Sequence, residues 1–127
     1  PDRAELLDEL RAQGMSLLPF FPLAGGLLTG KYRNATPDGS RFAREPGMGN
    51  RFTSERNLDL VEKLATFAES RGHTLPDLAI AWLLAQDVVP SVIAGATSAT
   101  QVRANARSAR WRMTAEEYAD ANALLTR

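Results

Sequence analysis

The sequence predicts an α/β fold with two parallel strands and about five helices. Two short apolar runs, residues 15–21 and 88–94, have the length of buried strands, and each leads into glycine-containing sequence. Around and between these runs, apolar residues recur at helical spacing. Because helices separate the two runs, the order of the elements favours parallel pairing.

Both predicted strands are apolar on two faces, as strands covered by helices on both sides are. Each contains a proline, Pro19 or Pro90, which cannot donate to a neighbouring strand, so we place Pro19 near the end of its strand. Two strands alone cannot form a sheet with both faces covered. We therefore expect the chain to be part of something larger, with apolar strand surface left open to a missing segment or to a second copy.

The helices are predicted from N-terminal capping signals that precede one-sided apolar stripes. Gly14 and Gly72 end the first two helices, and Pro76 occupies the permissive first turn of the third. We expect Trp82 in the core, and Met113 with Tyr118 as a hydrophobic staple. The capping residues are Asp2 with Glu5, Ser54, Thr74 with Asp77, Ser98 with Gln101, and Thr114 with Glu117.

The stretch from Pro19 to Tyr32 reads as a ligand loop at the end of the first strand, because its glycines permit close approach of a ligand to the backbone. Gly25 and Gly30-Lys31 have the spacing of a phosphate-binding P-loop. That motif needs Ser or Thr after the lysine and a helix directly following. Tyr32 stands there instead, and residues 33–53 read as an open loop, so we set the P-loop aside.

Composition excludes several classes of function. Fifteen basic and fifteen acidic residues cancel, so no broad positive field favours nucleic acid or an anionic membrane. No apolar run has the length of a membrane span, and the absence of cysteine excludes disulfides and fits a reducing cytoplasm. A lone histidine, His73, is expected to be structural and not a metal ligand, and we predict no metal site.

Three blocks of the sequence together resemble the aldo-keto reductases. They are Pro22-Leu-Ala-Gly-Gly-Leu-Leu-Thr-Gly-Lys-Tyr32, Ser40-Arg41, and Gly95-Ala-Thr-Ser-Ala-Thr-Gln101 followed by Asn105. The resemblance spans nearly the whole chain. It implies that residues 1–127 are the C-terminal, cofactor-binding segment of a TIM-type (β/α)8 barrel, covering its seventh and eighth βα units, and that the cofactor is NADPH.

The resemblance also assigns residues to that cofactor. Phe20 takes the place of an aromatic residue, usually Tyr or Trp, that stacks on the nicotinamide ring. Lys31 and Arg41 match basic contacts to the phosphates, although both could equally be solvated loop charges. The backbone that cradles the pyrophosphate is implied to be Phe21, Pro22, Leu23, Ala24 and Gly25, and the adenosine end to be held by Gly95, Thr97, Gln101 and Asn105.

No catalytic residue is predicted in this chain, because the Asp, Tyr, Lys and His tetrad of the family comes from earlier strands and maps onto none of these residues. Two functions stay open. The first is the cofactor-binding part of an NADPH-dependent reductase of aldehydes and ketones. The second is a truncated product or regulatory module that binds nucleotide, or offers an interaction surface, without catalysis. Upstream sequence carrying the tetrad would distinguish them.

Overall fold

The structure is a computed structural model that describes residues 3–125. Within this range the regular elements are seven α-helices and one segment of 3₁₀ turns, with no β-strand. The capping role expected of Asp2 lies outside the described residues. The helices are α1 (Arg3–Ala12), α2 (Arg41–Arg44), α3 (Pro46–Phe52), α4 (Glu55–Glu69), α5 (Leu75–Leu84), α6 (Ala99–Ser108) and α7 (Ala115–Leu125), and the 3₁₀ turns cover Ala24–Thr29.

The predicted pair of parallel strands, and with it the partial-barrel fold class, is therefore wrong for this structure. Residues 15–21 and 88–94 lie side by side outside any helix or strand, and isolated backbone bonds join them, from Leu17 N to Val88 O at 2.7 Å and from Ile93 N to Pro19 O at 3.3 Å. In a parallel ladder started by the first bond, the next donors in register are Pro90 and then Pro19. Neither has an N–H, so two consecutive rungs cannot form.

The open loop predicted for residues 33–53 is also wrong. Its second half contains α2 and α3, which begin at recognisable signals: the Ser40 hydroxyl accepts from Ala43 N at 3.3 Å, and Pro46 opens α3. Phe42 is buried, and Phe52 and Met48 pack against the core. These apolar side chains pack α2 and α3 onto the core. The glycines and prolines of the segment are typical of a loop, and for that reason the sequence did not predict these helices.

The main core lies between α4, α5 and α7, with α6 packed on α5 and the 3₁₀ turns on its other side. Trp82, predicted in the core, packs against it while only partly buried, and its indole N–H donates to Asn122 at 3.0 Å. The buried core residues are Leu27, Tyr32, Phe42, Val61, Leu64, Ala65, Ala68, Leu75, Leu78, Ala81, Trp111 and Ala121.

A smaller cluster attaches α1 to the rest of the chain. Leu7 is buried with Val88 and Val89. At the surface, the Arg11 guanidinium binds both carboxylate oxygens of Asp87 at 2.8–3.0 Å, and the hydrogen bond to Arg11 holds the pKa of Asp87 below its ordinary value. Gly14 ends α1 with a left-handed φ of 62°, as predicted.

Two of the predicted capping boxes are confirmed in full. Thr74 and Asp77 exchange side-chain to backbone bonds at the start of α5, and Thr114 and Glu117 do the same before α7. The staple of Met113 with Tyr118 stays a prediction. The contacts of Tyr118 in the structure are with Trp82, whose ring stacks at 6.1 Å between centroids, and with Gln86, which donates to its hydroxyl.

One buried polar contact ties α5 to α6. Asp77 is only 7% exposed, and its Oδ1 accepts from the Ser108 hydroxyl at 2.6 Å while its Oδ2 accepts from Thr74 N and Oγ1 at 2.8 and 2.7 Å. Burial alone would raise the pKa of Asp77, but the bonds from Ser108 and Thr74, with the nearby charge of Arg107, outweigh it and leave that pKa below its ordinary value.

We expect Ser108→Ala to lower the free energy of unfolding by about 1.5–3 kcal/mol, because it leaves a buried carboxylate oxygen without its donor. Urea denaturation followed by circular dichroism measures the loss. Ser91→Ala, at an exposed serine, is the matched control and should change stability little. Equal effects of the two substitutions would contradict the importance of the Ser108 bond.

The same site should give a defined pH dependence. Since the pKa of Asp77 is lowered in the folded state, its contribution to stability is present above the pKa of an unfolded aspartate and is lost as the pH falls through the folded value. We therefore expect the free energy of unfolding to fall more steeply with decreasing pH for the wild type than for Asp77→Asn. Urea denaturation curves at a descending series of acid pH values measure this dependence.

Candidate functional site

The predicted ligand loop forms a strained turn. Phe21 and Ala24 have positive φ values of 59° and 48°, which are uncommon for residues with a side chain, and Gly25 and Gly26 follow at 68° and 107°. The loop therefore holds four left-handed residues within six positions. Such a backbone persists only where the surrounding packing fixes it.

That packing comes from the Phe42 ring at the start of α2. A Cβ added at Gly25 would lie 3.1 Å from Cε1 of Phe42, so the turn and the ring are in close contact. Phe42 also stacks on Tyr32, with centroids 4.2 Å apart, and on Phe52 at 5.8 Å. Its backbone N–H donates to the Tyr32 hydroxyl at 3.3 Å. The aromatic stack thus fixes α2 against the glycine turn.

Lys31 lies across the same turn. Its Nζ is 5.0 Å from the centroid of the Tyr32 ring, and a Cβ on Gly26 would lie 3.3–3.4 Å from its terminal atoms. Burial would raise the pKa of the Tyr32 phenol, but hydrogen bonds from Ser40 and Phe42 and the positive charge of Lys31 lower it below its ordinary value. The lysine is exposed, so its ammonium group is available to an anion beside the turn.

Arg41 completes this first group of predicted residues. Its guanidinium carbon is 5.6 Å from the centroid of the Phe21 ring, and Phe21 in turn meets Phe20 edge to face at 5.4 Å. Phe20 is 75% exposed, so most of its ring is uncovered. The Arg41 guanidinium and the exposed Phe20 ring therefore both contact Phe21.

The second group of predicted residues is joined to itself by hydrogen bonds. The Gln101 side-chain oxygen accepts from Thr97 N at 2.7 Å and from Thr97 Oγ1 at 3.0 Å, and Asn105 Nδ2 donates to Gly95 O at 3.4 Å. Gln101 N is capped by Ser98 Oγ at 3.3 Å. The predicted capping box of Ser98 with Gln101 therefore forms only in part: Ser98 caps the Gln101 amide, but the Gln101 side chain accepts from Thr97 and not from the Ser98 amide.

The two groups lie on neighbouring segments, because the Ile93 amide bonds to Pro19 just before each group begins. Within the first, Phe20 and Arg41 each contact Phe21, and Lys31 lies over Gly26 and Tyr32. Pro22, Leu23 and Ala24 form the backbone between them. Exposed basic side chains, an uncovered aromatic face and a small-residue turn are compatible with a dinucleotide.

A sequence profile of the Aldo/keto reductase family matches residues 2–126. The chain belongs to this family. The resemblance read from the sequence is thereby confirmed, and the predicted parallel pairing of its two extended segments is the part that the structure corrects.

Related proteins agree with this membership. The chain is 40% identical to an L-glyceraldehyde 3-phosphate reductase of Escherichia coli (strain K12) over 84% of its length and 32% of that protein. It is also 40% identical to a probable voltage-gated potassium channel subunit beta of Arabidopsis thaliana, over 82% of the chain and 33% of the subunit. The chain of this aldo/keto reductase thus spans about a third of the length of the curated relatives it matches.

Tyr32 and Phe42 are the residues of this region that the sequence analysis left without a role. Both are nearly inaccessible, at 3% and 2% exposure, and they position the two basic side chains. A signal was present, since aromatic residues stand immediately after each predicted basic contact, at Lys31-Tyr32 and Arg41-Phe42.

Among residues 3–125, no helix is both long and apolar enough to cross a bilayer. In the same part of the chain, no group of three or more His, Cys, Asp or Glu residues is placed to hold a metal ion. His73 instead stacks flat on Trp111, with ring centroids 3.9 Å apart.

We expect Gly25→Ala to destabilise the protein more than Gly39→Ala. Both glycines have a φ of 68°, so the backbone cost of about 1–2 kcal/mol is shared. Only the new Cβ at Gly25 meets the Phe42 ring, whereas at Gly39 it meets nothing within 4 Å. The difference, about 1–3 kcal/mol for overpacking, should appear in urea denaturation curves. Equal losses would show that the Phe42 contact yields without cost.

Proposed function

We propose that this aldo/keto reductase segment binds NADP(H) for an oxidoreductase that reduces aldehydes or ketones. The observation that carries the proposal is the arrangement of Arg41, Phe21 and the uncovered Phe20 beside the Lys31 turn. The family membership and the reductase named among the relatives support the reaction class. Neither supplies a substrate for this chain.

Each group has a part that its chemistry fits. The bound cofactor would supply the hydride. Phe20 offers a flat apolar face for the nicotinamide ring, and Lys31 and Arg41 offer charged donors for phosphates. Gly95, Thr97, Gln101 and Asn105 offer a backbone carbonyl and polar side chains to the adenosine end. The segment from Phe21 to Gly25 brings backbone close to the pyrophosphate, because small residues leave room there.

The proton donor for carbonyl reduction would come from outside this chain. Neither tyrosine is suited to this role: the resemblance maps neither onto the family's acid, and Tyr32 is buried at 3% exposure with its hydroxyl against the Phe42 amide. A proton donor must reach the substrate oxygen within about 2.6–3.2 Å. We therefore assign catalysis to another part of a longer protein, of which these residues would be about a third.

The surface needed for such a longer protein is present. Large apolar side chains are exposed on both extended segments, with Met15 at 58%, Leu18 at 54% and Ile93 at 58%. Exposed apolar patches of this kind are typical of contacts with another segment or chain. The remainder of the reductase, or a second copy of this chain, would cover them.

A second candidate is a regulatory subunit that keeps the cofactor site without turnover. It is favoured by relatives named as potassium channel beta subunits in Arabidopsis thaliana and in rice (Oryza sativa subsp. japonica), the latter 38% identical over 83% of the chain and 33% of the subunit. The site residues discussed above would serve either role, because binding a dinucleotide does not require the proton donor.

We expect Arg41→Ala to weaken the binding of NADPH by about 1.5–3 kcal/mol and that of NADH much less, because a guanidinium can pair bidentately with the additional phosphate of NADPH. Titration of cofactor fluorescence measures both affinities. Arg44→Ala, at an exposed arginine of the same short helix, is the matched control. Equal loss of affinity for both cofactors would remove Arg41 from the phosphate role.

We expect the 127 residues alone to bind NADPH but not to oxidise it with any aldehyde of a broad panel, because the proton donor is missing. The absorbance of the reduced nicotinamide follows turnover. A longer protein carrying the Asp, Tyr, Lys and His tetrad should reduce aldehydes, and binding without reduction there would favour the regulatory candidate. Turnover by the short chain that survives Phe20→Ala and Lys31→Ala would contradict both the site and the chemistry.

A further inference from the structure

A cleft lies where α5 begins and α6 ends, and none of the residues proposed to bind the cofactor lines it. It has a volume of about 580 Å³, within the range of small-molecule sites. Three arginines line it, Arg107, Arg110 and Arg112, together with the stacked pair His73 and Trp111. Three arginines within six residues of sequence thus line one concave surface.

One carboxylate, Asp77, stands in the lining against these three charges. It accepts from the Ser108 hydroxyl at Oδ1 and from Thr74 at Oδ2, and its charge also interacts with that of Arg107. Arginine remains protonated at any physiological pH, so the cleft carries three positive charges against one buried negative charge. A basic residue at the end of a helix is commonplace, which accounts for Arg107 alone. Arg110 and Arg112 lie beyond α6 and have no such explanation.

The cleft is also distinct from the proposed cofactor group on α6. Arg107 follows Asn105 by two residues, which turns the helix by roughly 200°, so the two side chains leave opposite sides of α6. Occupation of one site therefore does not require occupation of the other.

We infer that this cleft binds a small phosphorylated anion, of the pyrophosphate or phosphate-ester class. The fork of a guanidinium matches two phosphate oxygens, and a ligand carrying several charges can engage more than one arginine. The excess of three arginines over one carboxylate and the open concave shape favour an anion over a cation or an apolar ligand. The inference goes beyond the cofactor site and does not depend on it.

Tryptophan fluorescence can test the inference, because Trp111 lines the cleft and the chain has only one other tryptophan, Trp82. In a Trp82→Phe background, inorganic pyrophosphate should change Trp111 emission saturably, and added sodium chloride should weaken the binding. Arg107→Gln and Arg110→Gln should each weaken it about tenfold or more, the effect of losing one charge-assisted bond. Circular dichroism melts would establish that these variants fold.

Arg56→Gln is the matched control. Arg56 lies in the first turn of α4, whereas the cleft is lined from Gly72 onward, after the last turn of that helix. It should leave pyrophosphate affinity unchanged. Absence of saturable binding, or equal effects of Arg56→Gln and Arg107→Gln, would each overturn the inference. A titration with glycerol phosphate distinguishes phosphate esters from inorganic anions. If the arginines bind the phosphate group of an ester, glycerol phosphate should also change Trp111 emission saturably.

Discussion

The glycine turn and its two basic neighbours depend on the burial of one ring, Phe42. Its neighbours leave it almost no space: a Cβ added at Gly25 would lie 3.1 Å from the ring edge, and one added at Gly49 would lie 3.1 Å from the Phe42 Cβ. The ring packs against the strained turn and holds it in place, and the residue before the ring is Arg41. A change at Phe42 would therefore alter both the core packing and the position of the residues proposed to bind the cofactor.

The other side of the molecule is organised by a polar contact. Asp77 caps its own helix and accepts from Ser108, so the same carboxylate begins α5 and fixes the end of α6. The arginine cleft opens directly beside this link. The single charge of Asp77 faces three arginines, so it compensates only part of their positive charge. An internal stabilising contact and an external positive surface thus meet at one carboxylate.

Local signals predicted the helices well, because capping involves residues three positions apart. Thr74 with Asp77 and Thr114 with Glu117 form the bonds that their spacing indicated. Strand pairing depends on register between residues about seventy positions apart, and no local pattern reveals which donors would face each other. The sequence shows that each predicted strand contains a proline, but it does not show that Pro90 and Pro19 would be consecutive donors in the paired ladder. The Tyr32 and Phe42 stack was missed for a related reason, since glycines and prolines around it masked the burial of the aromatic rings. The assignment of individual residues to the cofactor stays a prediction.

That coincidence of Pro19 and Pro90 has a consequence for solubility. Short exposed segments rich in β-forming apolar residues can stack with copies of themselves into cross-β fibrils, and such segments generally lack proline. Residues 15–21 and 88–94 have the apolar content but carry a proline near the middle. Each therefore offers an interrupted row of donors to a second chain, as prolines on the edges of natural sheets do. The residues that prevent this chain from completing its own ladder also make it a poor template for fibril growth.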